Sequence, residues 1–124
     1  RQIIPAFMGQ RMSEPQNSSH AYFWHLRYPI DALFPLMAQV DYVERLDLSN
    51  LPQPVLMLYT REDRIVQSQA IVKRFAELTN PRNQIHLVEG CGDLNQHTLA
   101  GDILSPDTTT SVVDTILAYY VELN

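Results

Sequence analysis

The chain is predicted to be an α/β protein built around two parallel strands joined by a helical crossover. Three observations predict this. "PVLMLY", residues 54–59, contains a short, continuously apolar run behind a pair of prolines, the signature of a strand inside a parallel sheet. One segment of helical period follows, and then a second short run, "QIHLV", residues 84–88. A strand–helix–strand unit of this kind is nearly always a right-handed crossover, which makes its strands parallel and often neighbours.

The elements follow in order. In residues 1–29, "SEPQNSSH" (13–20) reads as a polar loop, and the aromatic-rich "AYFWHLRYP" (21–29) is equally compatible with helix, strand or covering loop. From Asp31 the residues Leu33, Phe34, Met37, Val40 and Val43 fall near a 3.6-residue period, predicting a helix over 31–46. Proline is tolerated only in a first turn, so this helix begins close to Pro35. Pro52 and Pro54 punctuate the chain before the first strand, Val55 to Tyr59, which is expected to be buried on both faces. "REDR" is a polar loop. Gln67 to Leu78 is predicted helical, with Ile71, Val72, Phe75 and Leu78 on one face. "TNPRN" stops it, and Gln84 to Val88 is the second strand. A glycine-punctuated loop leads to a last helix, with Ser105 as cap and Pro106 in its first turn. Val112, Val113, Ile116, Leu117, Tyr120 and Val121 form its apolar stripe.

The totals bound what the chain can do. Its 124 residues, 45 % hydrophobic, make one domain's worth of soluble globular protein. The formal charge of −5 and the scattered Lys and Arg argue against a surface built for nucleic acid or anionic lipid. No apolar stretch reaches membrane-spanning length and no signal peptide is visible. The lone cysteine, Cys91, excludes an internal disulfide framework and weighs slightly toward a reducing, cytoplasmic compartment; localisation is otherwise open. A chain beginning at Arg1 is expected to be a fragment or a processed product.

Ligands of open parallel sheets bind beyond the carboxyl ends of the strands. Two loops leave such ends here, "TREDRIV" and "EGCGDLNQH", and each brings a group suited to proton chemistry, Asp63 in the first and His97 in the second. Parallel neighbours lie about 4.8 Å apart, so the two loops can meet. A carboxylate facing an imidazole there fixes its tautomer and stabilises its protonated form. The plainer readings stand beside this one. A lone Asp in such a loop is as often a turn or cap residue, and a loop histidine is more often solvated than catalytic. His20 and His25 read as structural or exposed, His86 as a packing residue within its strand, and Cys91 as a small packing residue between two glycines. Glu62 is a competing acid whose side chain should point away from that of Asp63. No paired Cys or His stands at ligand spacing, so no metal site is expected.

On these residues the chain, from about Asp31 to its end and most strongly over 54–121, resembles the C-terminal portion of an α/β-hydrolase. "PVLMLYTREDRIV" is similar to that family's seventh strand and acid loop, with Thr60 where many members carry a glycine three residues before the acid. "IHLVEGCGDLNQHTLAGDILSP" is similar to the eighth strand and histidine loop, and "HTLAGDILSP" followed by an amphipathic helix resembles a subset of esterase-like bacterial members. The resemblance implies a partial α/β-hydrolase fold, with 51–124 as its C-terminal core and 1–50 as a cap- or lid-like segment or linker. There Phe23, Trp24 and Phe34 either wall an acyl pocket or simply pack a core. It also implies Asp63 as triad acid, His97 as triad base, and no cofactor. The family's nucleophile sits in G-x-S-x-G, and no such motif occurs: the glycines are Gly9, Gly90, Gly92 and Gly101, and none flanks a serine. Ser13, Ser18 and Ser19 lack the strand–turn–helix context of a nucleophile elbow.

The first expectation is therefore the C-terminal part of a serine hydrolase for carboxylic esters or thioesters, inactive alone, which lacks the nucleophile and the oxyanion-hole donors. The alternative is a non-catalytic binding or interaction domain with a hydrolase-like tail. Both expect association with a missing N-terminal part or with another copy, because a two-stranded sheet leaves open edges. A small nucleotide-binding fold ranks last, for want of a glycine-rich phosphate loop.

Overall fold

The computed structural model describes residues 9–124, which form mixed α/β structure: four helices and two small two-stranded sheets, one antiparallel and one parallel. They divide into two compact units, the first ending at Leu46 and the second being Asp47–Asn124.

In the first unit, strands β1 (Gln10–Met12) and β2 (Arg27–Pro29) pair antiparallel, with Arg11 opposite Tyr28. Between them runs helix α1 (Ser18–Phe23), half of it inside the segment expected to be a polar loop. Its start is chemical rather than periodic: the Asn17 side chain accepts the His20 N–H at 2.8 Å, capping the first turn. The aromatic stretch thus supplies the end of a helix and then a strand. His20 is the buried residue of α1; its Nδ1 accepts the Gln16 N–H at 3.1 Å, and its ring meets Trp24 edge-on at 5.2 Å. A single turn of 3-10 helix (Ile30–Ala32) leads into α2 (Leu33–Glu44), with Pro35 in the first turn as expected. No residue of α2 is buried, and Phe34, Met37, Val40 and Val43 are exposed, as are Phe23 and Trp24.

The second unit carries β3 (Leu56–Tyr59), α3 (Ser68–Phe75), β4 (Gln84–Leu87) and α4 (Pro106–Leu123). β3 and β4 are parallel, with Leu56 opposite Gln84 and Tyr59 opposite Leu87, so both strands end at the same level. Backbone bonds from Gln84 N–H to the Val55 carbonyl (2.9 Å) and from Val88 N–H to the Tyr59 carbonyl (2.7 Å) close the ladder at its two ends. All four residues of β3 are half-buried rather than buried, because the sheet stops at two strands. His86, expected to pack, is exposed and bonds Gln84 Oε1 at 3.0 Å.

α4 departs most from expectation. Its buried residues are Thr108, Val112 and Tyr119, whereas Val113, Ile116, Leu117, Tyr120 and Val121 are exposed. The helix is held by polar pins. The Tyr119 hydroxyl donates to the Arg82 carbonyl (3.0 Å), and Gln84 Nε2 donates to Glu122 Oε2 (2.6 Å). Ser105 sits at the cap position, but its side chain caps nothing. The hydroxyl turns instead into the loop that precedes the helix, where the candidate site lies. No helix among the described residues is long and apolar enough to cross a membrane.

Candidate functional site

The flush ends of β3 and β4 place two loops side by side. The first opens at Thr60, which is buried and whose hydroxyl donates to Glu62 Oε2 at 2.9 Å. Glu62, the competing acid, bonds Thr60 within its own loop and is not the partner of the imidazole. Asp63 comes next, and its Oδ1 accepts the N–H groups of Ile65 (2.7 Å) and Val66 (2.8 Å), closing the turn that leads toward α3. These bonds leave Oδ2 for a partner across the sheet.

That partner is His97. Its Nδ1 lies 2.9 Å from Asp63 Oδ2, across 34 residues of sequence. The Asp63 side chain is 7 % exposed and that of His97 is 47 % exposed, so a sheltered acid faces a half-open imidazole. Burial pushes the Asp63 carboxyl up. The hydrogen bond with His97, the Val66 and Ile65 N–H groups and the nearby imidazole charge outweigh it, so the carboxyl stays below its ordinary value. An ionised Asp63 can only accept, so Nδ1 carries the proton in that bond. In neutral His97 the other nitrogen, Nε2, then presents a lone pair. This arrangement can take a proton from a group brought to Nε2 and return it.

The histidine loop is built by Asp93, a residue not singled out in the sequence. It is 2 % exposed. Oδ1 accepts the Asn95 N–H (3.0 Å), and Oδ2 accepts those of His97 (3.0 Å) and Thr98 (2.8 Å). Its own N–H donates to Ser105 Oγ (3.1 Å), and that hydroxyl donates on to the Thr98 carbonyl. Gln96 adopts φ 53°, an uncommon conformation for a residue with a side chain, and its amide donates to the Cys91 (2.7 Å) and Asp93 (2.9 Å) carbonyls. The one signal for Asp93 was its type, an Asp in a loop rich in turn residues, where its side chain often bonds nearby backbone N–H groups. Gly92 is fixed by space: a Cβ there would stand 2.8 Å from the Leu104 carbonyl oxygen.

The remaining candidates take other roles. Cys91 is buried, and its thiol contacts Gln96 Oε1 at 3.2 Å. Burial, then the charges of Asp93, Glu62 and Asp63, push its pKa up, so it is a packing thiol and not an activated nucleophile. His25 is exposed and His20 is engaged within the first unit. Ser105, the serine nearest His97 in sequence, is fully buried and spent on backbone bonds. A pocket of about 340 Å³ is lined by Tyr59, Arg61, Ser68, Gln69 and Val72, but the Ser68 hydroxyl is turned to the Arg61 carbonyl at 3.2 Å. Among the described residues no group of three His, Cys, Asp or Glu side chains could hold a metal ion.

Comparison of the chain with models of known families, with curated proteins and with solved structures finds no match.

Proposed function

We propose that the chain is the C-terminal part of an α/β-hydrolase of carboxylic-ester or thioester type, supplying the acid and base of a catalytic triad. The observation that carries this reading is the bond of 2.9 Å between His97 Nδ1 and Asp63 Oδ2, formed beyond the carboxyl ends of two neighbouring parallel strands. A serine from a part of the enzyme outside these residues attacks the acyl carbon. His97 Nε2 takes the serine proton and later delivers it to the leaving alcohol or thiol, while Asp63 orients the imidazole and stabilises its charged form. Water repeats the cycle on the acyl-enzyme. No cofactor enters the scheme, and the chain by itself is inactive.

The test is hydrolysis of p-nitrophenyl and thioester acyl substrates by the product of the whole reading frame that encodes these residues. Turnover should fall by at least about 10³-fold in His97→Ala and heavily in Asp63→Ala. Activity undiminished in both variants overturns the assignment.

A second reading, a non-catalytic interaction domain, is favoured by the exposed apolar side chains of α4, Ile116, Leu117, Tyr120 and Val121. It expects a protein partner and no acyl turnover from the whole reading frame.

A further inference from the structure

We infer that Asp93 is the positioning residue of this site: its buried carboxylate holds the backbone of His97 so that the imidazole falls on Asp63. The inference rests on the reading of Asp63 and His97 as acid and base, and it adds a residue that this reading does not require.

His97 is half exposed, so packing does little to fix its ring. Its placement must come from its own backbone and from the bond at Nδ1. The backbone there follows Gln96 at φ 53° and would not hold this shape unaided. Asp93 supplies the restraint. The carboxylate of a residue only 2 % exposed is costly unless its oxygens are satisfied, and the N–H groups of residues 95, 97 and 98 bond it. The peptides on both sides of the His97 Cα thus point their N–H groups at one oxygen, Oδ2. Ser105 completes the clamp, bonding the Asp93 N–H and the Thr98 carbonyl from a fully buried position. The chemistry required is specific. Asn at 93 retains one accepting oxygen but turns an NH₂ toward backbone N–H groups, donor against donor.

The test is nitrogen NMR of the ¹⁵N-labelled 124-residue chain, reading the His97 ring tautomer and its Nδ1 proton near neutral pH. The wild-type ring is expected in the Nδ1–H form with a protected Nδ1 proton, and Asp63→Asn, as a control, abolishes that signature. Asp93→Asn should leave the amide resonances of β3 and β4 dispersed while the Nδ1 proton resonance is lost and the ring moves to the tautomer mixture of free histidine. Should Asp93→Asn unfold the chain, Asp93→Glu, which keeps the charge and moves the oxygens away from the three N–H groups, decides: loss of the same signature supports the inference and an unchanged signature overturns it. An unchanged His97 signature in a folded Asp93→Asn chain overturns the inference and leaves the acid–base reading standing. Unfolding of both variants also overturns it, because Asp93 then supports the whole fold and not the histidine. A wild-type chain lacking the Nδ1 signature overturns the acid–base pairing itself, and this inference with it.

Discussion

The backbone N–H of Arg64 donates to the carbonyl of Asn95 at 3.0 Å, tying the acid loop to the histidine loop without using either functional side chain. The two loops are therefore docked by main chain, one residue after Asp63 and two before His97. The side-chain bond between Asp63 and His97 is added to a junction that already exists.

It follows that His97→Ala should leave the fold nearly untouched. The imidazole is half exposed, and a bond of this kind to a partly solvated group contributes less than about 1 kcal/mol. Urea denaturation of the variant should give a midpoint close to wild type. A loss above about 2 kcal/mol would mean that the side-chain bond, and not the Arg64–Asn95 link, holds the loops together.

Asp63 should behave differently, because its carboxylate also closes its own turn. Asp63→Ala removes the acceptor of the Ile65 and Val66 N–H groups together with the His97 bond, and a cost of about 1–2 kcal/mol is expected. Asp63→Asn keeps an oxygen for the two N–H groups and should fall between Ala and wild type. Thermal melts of the three chains give the order directly.

The same carboxylate makes stability depend on pH in a definite direction. Its pKa in the folded chain lies below the ordinary 3.8, so the stabilisation it brings is complete above that value and is lost as pH falls through the lower folded value. Between pH 7 and pH 3 the wild-type chain should lose more stability than Asp63→Ala does. Equal losses in paired denaturation curves would contradict the assigned bond.

Gly92→Ala tests the packing behind the histidine loop. The new methyl meets a backbone oxygen, that of Leu104, and so cannot be relieved by a side chain swinging away. A loss of about 1–3 kcal/mol is expected, measured by thermal unfolding.

Exposed Ile116, Leu117, Tyr120 and Val121 on α4 should make the isolated chain associate as its concentration rises. Leu117→Glu should weaken that association in sedimentation velocity. A wild-type chain that stays monomeric over the accessible concentrations would contradict the expectation.

The parallel pair, its connecting helix and the last helix were legible because short apolar runs and a 3.6-residue period mark strand and helix, whether or not the apolar side chains end up buried. The 31–46 segment was legible for the same reason, with Pro35 marking its start. Periodicity reports which face of a helix is apolar, not which face finds a neighbour, and α4 shows the difference: Val112 and Tyr119 go inside while Ile116 and Leu117 stay out. α1 was not legible because its six residues are too few for a period to register, and the bond that marks its start, from the His20 N–H to the Asn17 side chain, leaves no pattern. β1 and β2 are three residues each, too short for an alternation to register. In the site, Asp63 and His97 stood out because acid and imidazole in two strand-end loops invite comparison. Asp93 did not, because a buried carboxylate is justified only by the N–H groups that surround it. Ser105 was placed at a helix start, yet its hydroxyl serves the loop instead.

The flush register of β3 and β4 also bears on how the chain folds. Tyr59 opposite Leu87 brings Asp63 and His97 to one height, and a slip of one residue would shift one loop by about 3.3 Å along the strand, enough to break a hydrogen bond of 2.9 Å. The acid–imidazole contact therefore occurs only in correctly aligned molecules, which makes it a built-in reporter of strand alignment.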